Sequence, residues 1–579
     1  MRTLCLILFC VLLSCALTPV FAQPDNLTVF NEPPSRLRGV IEKYGEDFGS
    51  VNRFHTAQTS SRRSSRFRQL YSEYLSWLNQ LKFDSLSSAE QIDYVLFRNY
   101  LEHERKELAR FEKQLVEMSP ILPFAQVISD LEDTRRRLES IDPAKTAAEL
   151  TNLAIEIGNT QRRLEESRDK PKRTVANRAA RTLAGLRSTL RNWNAFHSSY
   201  DPVFTWWNAE PYKAVDEALQ KYSEFIVAKL VGISPGDRTT IIGDPIGREA
   251  LLEELEFEMI PYSPEELVQI AEKEFAWCEK EMKIASRDMG YGDDWKKALE
   301  AVKQKYVEPG KQPELIRAQA MEAIEYVEKY ELVTVPKLAR ESWRMEMMSP
   351  ERQLQSPFFL GGETILVSYP TSSMTHEQKM MSMRGNNPHF THAVTHHELI
   401  PGHHLQRYMN QRFRPYRETF RTPFWVEGWA LYWEFLLWDR GFNKTPEDRV
   451  GALFWRMHRC ARIIFSLNFH LEKMSPQEAV DFLVERVGHE RDNAAAEVRR
   501  SFAGDYGPLY QIAYMMGGLQ FYNLHREFVD AKKMSNRDFH DAILKEGPIP
   551  VEMVRAILTK QKLSPNHKPG WRFYDPAGH

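Results

Sequence analysis

The chain has 579 residues, 42% of them hydrophobic and 27% charged, with a formal net charge of −2. That length exceeds what one small core requires, and the near balance of charge argues against nucleic acid or an anionic membrane surface as partner. Of the five cysteines only Cys278 and Cys460 lie beyond the first 22 residues, which excludes a disulfide scaffold. Those two either pair or remain two buried thiols.

Residues 1–22 read as an export signal. Arg2 supplies a short positive region, Leu4 to Leu17 is apolar apart from Ser14, and Val20-Phe21-Ala22 offers compact residues for cleavage. The run is too short and poorly flanked for a transmembrane helix. Leu12-Leu13-Ser14-Cys15 forms a lipobox-like tetrad, and processing there would leave Cys15 lipid-anchored. The continuation "ALTPVFAQPDN" favours cleavage after Ala22. The expectation is an exported protein, periplasmic or secreted, with no membrane contact beyond such an N-terminal anchor.

Long charged amphipathic patterns run from about Pro34 to Pro211. In the stretch 87–118, Ile92, Val95, Leu96, Tyr100 and Leu101 recur at helical spacing behind a capping box of Ser87 and Glu90. The arginines between Lys172 and Arg191 read as a solvated helix face balanced by nearby acids. Ser263-Pro264-Glu265-Glu266, Thr445-Pro446-Glu447-Asp448 and Ser475-Pro476-Gln477-Glu478 share one grammar: a hydroxyl cap, proline in the first turn and an acid at the third position. Asn387-Pro388 predicts a further helix start. One stretch breaks the pattern. "GGETILVSYP", residues 361–370, alternates like a β-strand after a glycine turn, and belongs to a small hairpin or sheet. Its free edge is open to an extended peptide, although structural filler is the plainer reading. The expected fold is mainly α, a large multi-helix protein with a small β element near the active site. A boundary near Gly243 to Gly247 divides an N-terminal helical region (23–242) from a catalytic region (243–579), and the two can still pack as one body.

The chemistry concentrates in "HFTHAVTHHELIPGHHLQRYMNQR", which holds six of the seventeen histidines: His389, His392, His396, His397, His403 and His404. Imidazole is the usual zinc ligand at neutral pH. In the common HExxH helix two histidines four apart share a face, and the glutamate lies beside the metal-bound water. Here His397-Glu398 is followed by four residues before His403. On a regular helix six residues rise about 9 Å and turn about 240° past one revolution, too far for one zinc. Pro401 and Gly402 supply the remedy, because together they permit a bulge that restores the four-apart relationship. Other pairings stay open: His392 with His396, though no acid follows His392, and His397 with His404, roughly 10 Å apart on a regular helix. Hydrogen-bonded histidines with no metal are the plain alternative.

A third ligand is expected from "PFWVEGWALYWEFLLW", where Glu427 and Glu434 lie seven apart on one face of an otherwise aromatic and aliphatic helix. Carboxylates in such a run are costly unless paired or metal-bound.

The segments "HHELIPGHHLQ", "FWVEGWALYWE", "RCARIIFSLNFH" and "YGPLYQIAYMMGGLQFYNLHREF" resemble a largely uncharacterised bacterial family of unknown function, grouped with the gluzincin metallopeptidases, the clan of thermolysin and angiotensin-converting enzyme. The similarity spans about Gly243 to Leu558 and is only loose upstream. It implies His397 and His403 as zinc ligands, Glu398 as general base and Glu427 as third ligand. The 24-residue spacing from His403 to Glu427 is similar to that in the converting-enzyme family and supports placing the extra residues before His403. Tyr514, eleven residues before His525, resembles the tyrosine-then-histidine helix of those peptidases, where the hydroxyl donates to the oxyanion; Tyr510 is the second candidate. His404, Glu434, His470 and His525 are candidates for supporting or substrate roles. The chain departs from the related pattern at Ser466 and at Leu431, where aspartates are usual, so any role of those acids is in doubt. The implied activity is zinc-dependent hydrolysis of a peptide substrate, short peptides above all. The rival readings are a catalytically silent zinc- or peptide-binding helical protein, a structural protein with incidental histidines, and a metal hydrolase of non-peptide amides.

Overall fold

A computed structural model describes residues 35–237, 239–353, 358–503 and 506–574. The export signal and the Cys15 anchor expected above lie outside the described residues. Helices dominate, as the periodicity predicts, and the helix starts follow the capping grammar. Ser87 and Glu90, Ser263 and Glu266, Thr445 and Asp448, and Ser475 and Glu478 each form a reciprocal capping box. Each pair satisfies backbone N–H groups that the first turn would otherwise leave bare.

From Ser35 onward the chain is one compact unit with three apolar cores. One is built within residues 118–231 by the helices Ala125–Arg136, Pro143–Glu166, Arg173–Ser198 and Pro202–Phe225. A second joins residues 37–101 to residues from 259 to 563, so the N-terminal helices Arg36–Phe54, Ser61–Asn79 and Ser88–Met118 share apolar packing with the second half of the chain. The third, from Leu251 to Phe573, surrounds the histidine-rich segment. Arg178 pairs with Asp244 and Glu117, and Arg187 with Asp216, while Arg173 and Arg181 donate to the backbone carbonyls of Val231 and Ala503, so acids balance part of that helix face. Cys278 and Cys460 are two buried thiols without a bridge. No helix among the described residues is long and apolar enough to cross a membrane.

The predicted strand forms over Thr364–Val367 (β2), shorter than its alternation suggested. Its partner is Arg344–Met347 (β1), paired in parallel, with Arg344 opposite Thr364 and Met347 opposite Val367. The sheet is therefore not a hairpin. The edge of β2 available to a peptide is also narrower than expected, because Leu366 exchanges backbone hydrogen bonds of 2.7 and 3.2 Å with Leu360.

One buried ion cluster ties the early helices to the late ones. Arg417 Nε donates to Asp93 Oδ1 at 2.8 Å and its Nη1 to Glu546 Oε2 at 2.5 Å, while the Tyr416 hydroxyl donates to Asp93 Oδ2 at 2.8 Å. Arg417 and Asp93 are fully buried. Removing one partner strands the other charge away from water. Asp93→Ala should therefore cost about 3–5 kcal/mol, read as a lower urea midpoint. A variant as stable as the parent would show that the cluster holds nothing together.

Candidate metal centre

The helix Pro388–Glu398 begins where the Asn387 side chain accepts the N–H groups of His389 and Phe390. It ends at Glu398, and here the chain departs from the expected bulge. The helix stops, residues 399–402 make a tight connection, and a new helix, His403–Asn410, starts at the second candidate ligand. The Gly402 N–H donates six residues back to the His396 carbonyl at 3.0 Å, and the His404 N–H five residues back to Leu399 at 2.9 Å. The break brings the rings of His397 and His403 to a centroid separation of 4.8 Å, crossed at 88°. Gly402 makes this path available. A Cβ at that position would lie 1.8 Å from the His397 carbonyl oxygen, so no side chain fits. Trp429 Nε1 donates to the Pro401 carbonyl at 2.9 Å, fixing the connection to the next helix.

That next helix, Pro423–Asp439, brings in the carboxylates. Glu427 Oε2 lies 3.2 Å from His403 Nε2 and 3.6 Å from His397 Nε2. A tetrahedral ion with bonds of about 2.0–2.1 Å spaces its ligands roughly 3.3 Å apart, so both separations are close to its edges. Glu427 Oε2 is buried and has no hydrogen-bond partner. A carboxylate oxygen orphaned away from water calls for a cation. Its other oxygen, Oε1, accepts from the Tyr510 hydroxyl. His397 Nδ1 donates to Glu434 Oε1 at 2.7 Å, which turns Nε2 toward Glu427. The Gln406 side-chain nitrogen sits 3.0 Å from His403 Nδ1 and donates to the Val426 carbonyl at 2.9 Å, which steadies the second ring.

Two glycines set the position of the tyrosines. A Cβ on Gly428 would lie 2.5 Å from the Gly517 backbone, and one on Gly517 would lie 1.9 Å from the Phe424 carbonyl oxygen. The helices Pro423–Asp439 and Tyr510–His525 thus touch backbone to backbone, one residue after Glu427. The Tyr514 ring lies 6.2 Å from that of His397, nearly parallel to it. Behind it, the guanidinium groups of Arg459 and Arg462 sit 4.7 and 4.5 Å from the ring centre. Both glycines stand within sequence motifs singled out above, but glycine in mid-helix gave no sign of which helix it faces. The arginines gave none either.

Burial dominates the electrostatics. It raises Glu398, whose carboxyl is held above the usual range, with His403 and His397 opposing. It would raise Glu427 too, but the two histidines hold that carboxyl well below its ordinary value. Burial depresses His397, and the neighbouring carboxylates of Glu427 and Glu434 outweigh it, carrying the ring up to about 9. Glu398, His403, Glu427, Tyr510 and Tyr514 line one cavity of about 690 Å³, with Leu360 and Gly361 beside Glu398 and Arg500 and Tyr506 further along.

Other sequence candidates are held elsewhere. His404 sits between the carbonyls of Ala339 (2.9 Å) and Gly362 (3.2 Å) and does not face Glu427. His392 pairs with Glu322 and stacks on Phe442, with His396 against the same ring. His525 bonds Asn536, and its eleven-residue separation from Tyr514 amounts to about 16 Å of helix. His470 is buried beside Phe469 with neither ring nitrogen bonded. Ser466 and Leu431, the two departures, are buried in helix packing. A second group unseen in the sequence, His103, Glu107 and Glu254, already holds a cation, since Arg110 Nη1 lies 2.8 Å from Glu254.

Fold and site together define a mainly α-helical protein with a buried two-histidine, one-carboxylate centre beside a deep cavity. The chain belongs to the bacterial family DUF885, whose members are described as bacterial proteins of unknown function and whose model matches residues 47–558. No curated protein matches it. Two solved structures share the fold, both of provisionally assigned lipoproteins. One, of unknown function and from Shewanella oneidensis, has a TM-score of 0.65 at 16% identity over 90% of this chain and 98% of its own. The other, from Colwellia psychrerythraea, has a TM-score of 0.57 at 16% identity with the same coverage.

His470 yields a pH prediction. Burial lowers its pKa to about 4, against about 6.5 for an unfolded histidine. The neutral ring's contribution is complete above pH 6.5 and is lost as pH falls toward 4, on the order of 3 kcal/mol at most. Urea midpoints of the parent and His470→Leu should diverge between pH 7 and 4.5, with the parent falling more. Parallel curves would mean that the ring protonates in place.

Proposed function

We propose that the protein is an exported, zinc-dependent metallopeptidase of gluzincin type acting on short peptides. The observation that carries this reading is the orphaned, buried Glu427 Oε2, 3.2 and 3.6 Å from two imidazole nitrogens, with Glu398 on the same cavity wall. His397, His403 and Glu427 would hold the zinc, and their nitrogen and carboxylate donors suit that ion. Bound zinc supplies Lewis acidity toward an acyl carbonyl and acidifies a water molecule. Glu398, raised by burial, is suited to take the proton from the attacking water and pass it to the leaving amine. The Tyr514 hydroxyl is suited to donate to the developing oxyanion, with Arg459 and Arg462 favouring negative charge nearby. Tyr510 holds Glu427 in place rather than sharing that role. The signal-like N-terminus and the lipoprotein description of the two structural relatives support export.

The deciding experiment combines metal content with turnover. The purified protein should carry about one zinc per chain, lose it on His403→Ala, and cleave members of a short-peptide library. Glu398→Gln should keep the zinc and lose activity by a factor on the order of 10³. Zinc with no hydrolysis of any peptide would establish a silent binding protein; no zinc after reconstitution would sink the reading. Gly402→Ala should also lose zinc affinity, on the order of 100-fold in a chelator competition, because the added methyl group parts the two histidines. Unchanged affinity would show that the connection can relax.

A further inference from the structure

The cavity is asymmetric in charge. Four arginines line it: Arg352, Arg407, Arg421 and Arg500. Arg407 lies 3.6 Å from Glu363 and Arg421 2.7 Å from Glu418, so both are matched by an acid. Arg500 is not. Its side chain is only 10% exposed, and its Nε has no hydrogen-bond partner. Its nearest acid among the described residues, Glu497, stands 3.7 Å away through Oε2 and is shared, since its Oε1 accepts from Arg462 Nε at 2.7 Å and from Gln511 at 3.1 Å. Among the described residues behind the tyrosines, three guanidinium groups (Arg459, Arg462 and Arg500) face two carboxylates, Glu434 and Glu497. One positive charge is left over among them, and of the three Arg500 alone lines the cavity.

The line from the metal centre to that charge is continuous. Tyr510 donates to Glu427; the ring of Tyr506 packs on that of Tyr510 at 4.1 Å; and the Arg500 guanidinium lies 4.9 Å from the Tyr506 ring centre. A substrate laid along this wall has its reacting bond at one end and an underpaired, largely buried guanidinium at the other. A buried cation short of a partner is destabilising until an anion reaches it, and the guanidinium fork matches a carboxylate with two parallel hydrogen bonds.

We propose that Arg500 forms a subsite for a carboxylate of the peptide substrate, supplied by its free C-terminus or by an acidic side chain. This rests on the peptidase reading for the substrate's class and adds what the cavity selects. A free C-terminus is the chemistry every short peptide carries, and a cavity of about 690 Å³ is of a size to enclose a short segment rather than a folded chain.

The test is made on binding, so that it does not depend on turnover. Zinc-reconstituted Glu398→Gln protein is titrated calorimetrically with three N-acetylated tetrapeptides of one neutral sequence: the free acid, the C-terminal amide, and the amide carrying one aspartate. The free acid should bind about 10- to 100-fold more tightly than the amide, as expected of a charged hydrogen-bonded pair. In the Glu398→Gln, Arg500→Gln double variant that ratio should collapse to within about threefold. The Arg500→Lys version, which keeps the charge and loses the fork, should fall between. Comparable thermal melts of both double variants would exclude unfolding as the cause. Tight binding of the aspartyl amide would assign the carboxylate to a side chain. Equal affinity for all three peptides, a preference that survives Arg500→Gln, or no binding of any peptide would overturn the proposal. Zinc-dependent hydrolysis by the parent protein separates that failure from a failure of the peptidase reading.

Discussion

Everything around the centre depends on keeping Glu427 ionised inside a helix of aromatic residues. Trp425, Trp429 and Trp433 of the same helix are fully buried, in a setting where an unpaired carboxylate would take up a proton. Two histidines prevent this, and for both to reach one oxygen the chain between them must abandon the helix. The break at residues 399–402, the bare backbone at Gly402 and the Trp429 bond to Pro401 all serve that approach. Metal affinity and local fold are consequently one problem here: the geometry that favours a cation is the geometry that relieves a buried charge.

The support around the centre is layered. Glu434 orients His397, Tyr510 occupies the second oxygen of Glu427, and Gln406 steadies His403, so each proposed ligand is constrained from outside. Glu434 and Tyr510 come from helices that touch at Gly428 and Gly517, where a methyl group on either would collide with backbone. Precision at the site is thus set by how closely two helices can approach, a property of packing as much as of the polar groups themselves.

What the sequence conveyed was local. Caps and helix starts were legible because the capping residues act within four positions of one another, and the histidine cluster was legible because six rings fall in one short segment. Glu427 and Glu434 stood out against their apolar neighbours. The form of the break was not legible: proline and glycine predicted a distortion, and a bulge and a stopped helix satisfy the same two residues. The parallel partner of β2 could not be foreseen, since Arg344–Met347 alternates weakly and its pairing crosses a long connection. His525 misled for a related reason. Its spacing from Tyr514 matched a pattern, but spacing along a helix fixes distance along the axis and not which neighbouring element packs there.

The arginine cluster shows the same limit and gives it a functional sense. In sequence, Arg459, Arg462 and Arg500 are ordinary charges within helical patterns. Folded, they lie buried beside two carboxylates among the described residues, with Tyr514 between the first pair and the cavity. Positive charge in excess, deep in a protein of nearly neutral total charge, is stable only where its neighbours or its ligands are negative. The proposed metal would neutralise the acids on one side of the tyrosines, which leaves the guanidinium groups on the other side as the dominant field in the cavity. The two halves of the site are therefore complementary. One is acidic and suited to the proposed cation; the other is basic and suited to the substrate carboxylate proposed for it.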